Sequence, residues 1–185
     1  MSHEETVKNI NRAIIQTREI KGKIVKDSIF KTYGVFIITF ALMFYTFGAG
    51  MIDNYVIYPT FSVVGENEFV AFRHVFSPRI VALLVVPLIL RFVFSVLLLW
   101  LRPKAIHLWH VWLFLFCQIV SWISTFAVQL PIQFELDKGK NPELIQKLID
   151  SIWLRTTMNI ACAAIMIWMM FLVIRSLASG KNETV

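Results

Sequence analysis

The sequence is poor in charged side chains: Asp, Glu, Lys and Arg make up 16% of its 185 residues, against about 25% in an ordinary soluble domain. Hydrophobic residues make up 57%, and the mean hydropathy is +0.67. So few charges cannot cover the surface of a soluble fold of this length. The composition therefore excludes an ordinary soluble domain and indicates a membrane protein.

Cysteine is also scarce. Cys117 and Cys162 both fall inside apolar runs, which excludes a disulfide framework between loops, and we interpret them as packing residues. The sequence has no His, Cys and carboxylate set with zinc or di-iron spacing, no glycine-rich phosphate loop and no serine-nucleophile motif. We therefore expect neither a metal nor a cofactor.

The sequence also lacks any sign of a domain boundary. No repeat, Gly/Ser linker or low-complexity tract divides it, so we expect a single domain over residues 1–185. The basic residues behind the net charge of +6 form no aromatic-interleaved patch, which argues against a nucleic-acid partner. The N-terminus lacks the basic-then-apolar order of a secretory signal, so the first apolar run is expected to act as an uncleaved anchor.

What the sequence does have is four long apolar runs. About 20 helical residues, rising ~1.5 Å each, cross a hydrocarbon core of ~30 Å. Helices are expected because lipid offers backbone groups no hydrogen-bond partner, and these runs are too long for barrel strands. The predicted fold is all-α, an integral membrane four-helix bundle whose spans are residues 32–52, 80–101, 107–131 and 156–174.

The basic residues near the span ends predict the orientation. Eleven Lys and Arg residues lie on the side of the N-terminal arm, the second loop and the C-terminal tail, and six lie on the other side. The six are accompanied by seven acidic residues. Both termini are therefore expected on the cytoplasmic side, with lipid as the surrounding partner.

Three short appendages complete the predicted fold. The first is an amphipathic cytoplasmic arm over residues 5–30, which either lies on the inner membrane surface or binds a partner through a short heptad seam. The second is a short surface helix in the first outer loop, where phenylalanines recur at helical spacing. The third follows Asn141-Pro142-Glu143 in the second outer loop, a typical cap, first-turn proline and first-turn acid. The two outer loops are expected to pack into a lid.

Arg91 lies about ten residues from either end of the second span, where an unpaired guanidinium costs at least ~2.5 kcal/mol. It should therefore face the bundle interior. Because the second and third spans turn near Lys104, Gln118 lies level with Arg91 and is its predicted partner. The same face of the third span continues through Ser121, Thr125 and Gln129. This stripe is either interhelical packing or a polar path.

A second polar group is predicted at the outer ends of the helices. It is either a ligand opening or ordinary interfacial anchoring. Its members are Asp53, Asn54, Tyr58, His74, Arg79, Gln129, Gln133, Trp153, Arg155 and Asn159.

Three stretches carry a resemblance to a known family: FGAGMIDNYVIYPTF, FVAFRHVFSPRI and VQLPIQFELDKGKNPELIQKLIDSIWLRTTMN. They resemble small four-helix membrane proteins grouped with fungal anthrone oxygenases, a family of mostly uncharacterised bacterial members. The resemblance implies that His74, Arg79, Pro131, Trp153 and Arg155 match the recurrent polar and aromatic positions. The arm and Arg91 fall outside that pattern. The expected location is the inner (plasma) membrane of a bacterium.

Three functions stay open at this point. The first is an accessory or structural subunit that binds a membrane-protein partner or a second copy. The second is a cofactor-free oxygenase-like enzyme on an apolar small molecule, with His74 as the proton acceptor and Arg79 or Arg155 stabilising the resulting anion. The third is a small transporter or oligomeric channel that uses Arg91 and the polar stripe. Whether the chain is an enzyme is left undecided.

Overall fold

The computed structural model describes the backbone of residues 3–180 and the side chains of residues 29–179, together with those of Gln16 and Gly22. The described part of the chain is all-helical. Its elements are α1 (His3–Ile52), π1 (Asp53–Ile57), α2 (Tyr58–Val63), α3 (Glu66–Ile80), π2 (Val81–Val85), α4 (Val86–Leu97), α5 (Leu108–Ser124), π3 (Thr125–Gln129), α6 (Leu130–Leu136), α7 (Pro142–Asp150) and α8 (Ile152–Gly180).

Four helical stretches are long and apolar enough to cross a membrane: Ile29–Val63, Glu66–Leu97, Leu108–Leu136 and Pro142–Ser179. The prediction of four long apolar helices is confirmed. The separate surface helix predicted for the first outer loop is not formed, because α3 continues through π2 into α4 and lengthens the second stretch. The phenylalanine spacing was helical, but nothing breaks the helix at the predicted boundary.

Each π-helical segment lies just before a proline: Pro59, Pro87 or Pro131. In each case the residue before the proline donates its N–H to the carbonyl five residues earlier, at the start of the segment. A proline ring clashes with the carbonyl four residues before it and offers no N–H. The wider turn accommodates the ring without ending the helix. This explains why the stretches run past their prolines.

The distribution of side chains is the reverse of that in a soluble bundle. Arg91, Gln118 and Ser95 are buried in the interior, whereas large apolar side chains such as Trp109 and Phe116 are exposed. Only between 17% and 39% of each apolar window is buried inside the protein. An apolar exterior, with charged and amide side chains buried inside, suits lipid rather than water.

Two apolar clusters hold the chain together. The larger joins α1, α4, α5 and α8 around buried residues such as Phe114 and Met166. The smaller joins the two outer loops through residues such as Phe61, Ile145 and Leu148. The predicted lid is therefore present as packed structure; we call that end of the bundle the lid end and the opposite one the arm end. The predicted cap of α7 is confirmed, since Asn141 Oδ1 accepts from the N–H groups of Glu143 and Leu144 at 3.0 and 3.2 Å.

The arm belongs to α1, whose backbone is helical without interruption from His3 to Ile52. The predicted amphipathic face of residues 5–30 lies almost wholly outside the described side chains. Core packing of α1 begins at Tyr33, and Ile29 and Phe30 just before it are 52% and 81% exposed. The described root of the arm is thus clear of the bundle core.

Candidate functional site

Arg91 lies at the centre of the bundle and is only 1% exposed. Its Nη1 donates to Thr46 Oγ1 at 2.9 Å and to Asn159 Oδ1 at 3.2 Å, and it contacts Met43 Sδ at 3.5 Å. These partners come from α1 and α8, and none is acidic. Among the described residues, Arg91 Nε has no hydrogen-bond partner. A buried cation is therefore held by neutral groups on two other helices.

Gln118, which the hairpin predicts as the partner of Arg91, does not bind the guanidinium. Its Nε2 donates to Ser95 Oγ at 3.0 Å, and Ser95 donates to the backbone carbonyl of Arg91 at 2.6 Å. The predicted partner is wrong, because counting residues from the hairpin turn estimates how deep a residue lies in the bundle but not the direction in which its side chain points. Arg91 projects from α4 toward α1 and α8, away from the Gln118 side.

In the rest of the predicted stripe on the third span, Ser121 and Gln129 are buried and Thr125 is half-buried, and the described contacts do not link them into a continuous chain. Ser121 accepts from Asn159 Nδ2 at 3.5 Å, and Thr125 donates to the Ser121 carbonyl at 3.0 Å. The side-chain nitrogen and oxygen of Gln129 are both buried without a described partner. Only Ser121 is thus joined to the Arg91 network, through Asn159.

Arg155 anchors a second polar network at the start of α8, on the lid side of Arg91. Its Nη2 contacts Asp53 Oδ2 at 3.5 Å, Tyr58 Oη at 3.5 Å, and Asn54 Oδ1. Asn54 in turn donates to Thr156 Oγ1 at 3.0 Å. The segment π1 supplies both Asp53 and Asn54, and both are buried. The structure thereby joins five of the predicted outer-end residues: Asp53, Asn54, Tyr58, Arg155 and Asn159, the last through the Arg155 carbonyl.

A cavity of about 30 Å³ lies between the two networks. Asn159 borders it and connects them, since its side chain accepts from Arg91 and donates to the Arg155 carbonyl at 3.0 Å. A space of this size holds about one water molecule. Its lining residues are Thr46, Phe47, Gly50, Met51, Asn54, Leu84, Leu88, Arg155, Thr156 and Asn159.

The remaining predicted site residues lie elsewhere. His74 and Arg79 are exposed on α3, and no described hydrogen bond or ion pair joins either to Arg155. Trp153 is 66% exposed on α8. Gln133 belongs to the lid. No acid–base group of the predicted enzyme is thus joined to the Arg155 network by a described contact.

Sequence reasoning missed Arg73, which is 3% exposed and organises the lid. Its Nε donates to Asp137 Oδ1 at 2.7 Å and its Nη1 to Gln133 Oε1 at 2.6 Å. The guanidinium also lies 5.3 Å from the ring centroid of Phe61. Part of the signal was present in the sequence, because Arg73 lies four residues after Phe69 and three before Phe76, whereas His74 faces the other side of the helix. Arg79 lies three residues after Phe76, so the spacing alone does not separate it from Arg73.

A larger concave surface faces outward between α4 and α5. It is an apolar groove of about 610 Å³. Its lining, which holds no titratable side chain, consists of Ile89, Phe92, Ile119, Trp122, Ile123, Phe126 and Ala127. The groove can accept an apolar group but supplies no acid–base chemistry. In the part of the chain that the structure describes, no group of three His, Cys, Asp or Glu side chains is placed to hold a metal ion.

A scan against protein-family models matched no family, and searches of curated proteins and of solved structures found no match. The resemblance to anthrone oxygenases is therefore not tested by these comparisons and stays a prediction.

Proposed function

We propose that this chain is an accessory subunit of a membrane complex, and that its N-terminal arm binds a helix of a partner protein. The observation that carries the proposal is the length of α1, which has 50 residues and is unbroken. At 1.5 Å per residue this is about 75 Å, whereas a hydrocarbon core is ~30 Å thick. The part before Ile29 alone extends for roughly 40 Å.

A helix that projects alone is marginally stable in water, because most helical stability in proteins comes from packing of an apolar face. The arm has such a face in its sequence. Its residues Val7, Ile10, Ile14, Thr17, Lys21 and Ile24 follow the alternating 3-4 spacing of a heptad seam. A helix from outside the bundle is the partner that fits such a seam.

The alternative position, flat on the inner membrane surface, requires a sharp bend between the arm and the first apolar stretch. Sharp bends arise at prolines, at glycine-serine pairs or at π-helical turns. The segment of α1 between Gly22 and Gly34 contains no further glycine and no proline, and α1 is α-helical throughout. An arm that continues the direction of α1 into the cytoplasm supports the partner-binding alternative. The membrane we propose is the bacterial inner membrane, with the lid end outside.

Site-specific photocrosslinking in cells tests this function. A photoreactive residue is placed at Ile10 or Ile14, on the seam, and at Gln16 as the matched control. Gln16 is exposed and off the seam. We expect one protein adduct of defined mass from both seam positions and none from Gln16, and we expect Ile14→Lys to abolish the adduct formed at position 10.

The partner class follows from the mass of the adduct: twice the chain mass means a second copy, and any other protein mass means a different subunit. Adducts with lipid alone from Ile10 and Ile14 would contradict the proposal and support the surface-lying arm. Equal protein adducts from Ile14 and Gln16 would also contradict it, because the seam would then have no role.

A further inference from the structure

The cavity between the Arg91 and Arg155 networks has an uneven set of hydrogen-bonding groups. Each side-chain oxygen that lines it already accepts a hydrogen bond. Thr46 Oγ1 and Asn159 Oδ1 accept from Arg91, and Asn54 Oδ1 accepts from Arg155. The fourth, Thr156 Oγ1, accepts from Asn54. None of these four oxygens is left without a donor.

Donors, in contrast, are left over. All the described hydrogen bonds of Arg155 come from one nitrogen, Nη2, although a guanidinium has five N–H groups. The hydroxyl of Thr156 accepts a bond but makes none as a donor among the described contacts. Both residues line the cavity. A ligand that accepts hydrogen bonds therefore fits these unused donors.

The charges of the two networks also favour a ligand that accepts hydrogen bonds, and specifically an anion. The two networks contain Arg91 and Arg155, and the acid joined to them by a described ion pair is Asp53, which pairs with Arg155. Arg91 is bound by neutral groups alone. A buried cation without a counter-charge is costly, and an anion nearby reduces that cost.

Size narrows the class of anion. The cavity has a volume of about 30 Å³, which is small for a substrate and suits a water molecule or a single small ion. We propose that the cavity is a halide site, in which Arg155 and Thr156 donate to the ion and Arg91 balances its charge. This inference does not depend on the accessory function of the arm.

The test measures the melting temperature of the purified full chain in mild detergent, with sodium bromide titrated against sodium gluconate at constant ionic strength. A specific site gives a saturable rise, because a ligand that binds only the folded state stabilises it. Thr156→Val removes the free donor and keeps the side-chain volume. Thr157→Val is the matched control, since Thr157 is exposed and donates to the Trp153 carbonyl at 2.8 Å.

We expect the wild type and Thr157→Val to show the same saturable rise with bromide. In Thr156→Val, half-saturation should need about tenfold more bromide, the effect of one lost hydrogen bond to a charged group. Anomalous diffraction from a bromide-grown crystal should place the ion in the cavity. No difference between bromide and gluconate in the wild type would overturn the proposal. An equal response of Thr156→Val and Thr157→Val would overturn it too, because the ions would then act at the cationic surface.

Discussion

The Arg91 guanidinium donates to the Thr46 hydroxyl at 2.9 Å, and that hydroxyl donates to the Leu42 carbonyl at 2.7 Å. The Thr46 hydroxyl thereby links the negatively polarised Leu42 carbonyl of α1 to the positively charged guanidinium of Arg91 on α4. Hydrogen bonds in such a chain polarise one another and strengthen in a medium of low dielectric constant. Thr46 is thus part of the means by which the bundle keeps a charged side chain in its interior without a carboxylate.

Thr46→Val should therefore lower the free energy of unfolding by about 1.5–3 kcal/mol, the range for a hydrogen bond to a charged group. Thr39→Val is the matched control, because Thr39 is equally buried in α1 but bonds only to the Val35 carbonyl of its own helix. Denaturation in mixed detergent micelles measures both. Equal losses for the two variants would show that the bond to Arg91 adds no stability.

The proline at position 87 gives a second prediction. Its ring leaves the Leu83 carbonyl without the usual helical donor, and the Tyr45 hydroxyl donates to that carbonyl at 2.9 Å. Tyr45→Phe should cost about 0.5–1.5 kcal/mol of stability. In a Pro87→Ala background the cost should shrink, because a backbone N–H becomes available at position 87. A double-mutant cycle measures the difference, and an unchanged cost in that background would refute the explanation.

The lid gives a third prediction, based on the ion pair of Arg73 with Asp137. Arg73 is 3% exposed and Asp137 is 42% exposed, so the pair is only partly screened. Asp137→Asn should lower lid stability by about 1–3 kcal/mol, because Arg73 would keep its buried charge with a weaker partner. Hydrogen exchange of the α6 and α7 backbone would report the loosening.

Glu135→Gln is the control for that variant. Glu135 pairs with Lys138 at 2.7 Å with both side chains exposed, and such pairs contribute little. We expect no measurable change in exchange for this variant. If the α6 backbone shows equal protection from hydrogen exchange in the two variants, Arg73 does not hold the lid through Asp137.

Much of the fold could be predicted because its causes are local. The four apolar stretches follow from composition, and the Asn141 cap follows from three adjacent residues. The inward position of Arg91 follows from the cost of exposing a guanidinium to lipid.

The choice of partners could not be predicted, because it depends on how the helices are rotated about their axes. Hairpin arithmetic could not reveal that Arg91 turns toward Thr46 on α1 rather than Gln118 on α5. The π-helical turns add to the difficulty, since each one rotates the side chains that follow it about the helix axis. Arg73 was predictable only in part from its spacing to the phenylalanines, and a basic residue in a loop is usually taken as solvent-exposed.

The proposed arrangement depends on the lid end lying outside the cytoplasm, and single-cysteine labelling tests this most directly. Lys104→Cys reports on the loop between α4 and α5 at the arm end, and Lys138→Cys reports on the lid, where Lys138 is exposed. The native cysteines are buried. In intact cells, a membrane-impermeant maleimide should label Lys138→Cys and should reach Lys104→Cys only after permeabilisation. Labelling of Lys104→Cys in intact cells would contradict the proposed topology, because the arm end would then lie outside the cytoplasm.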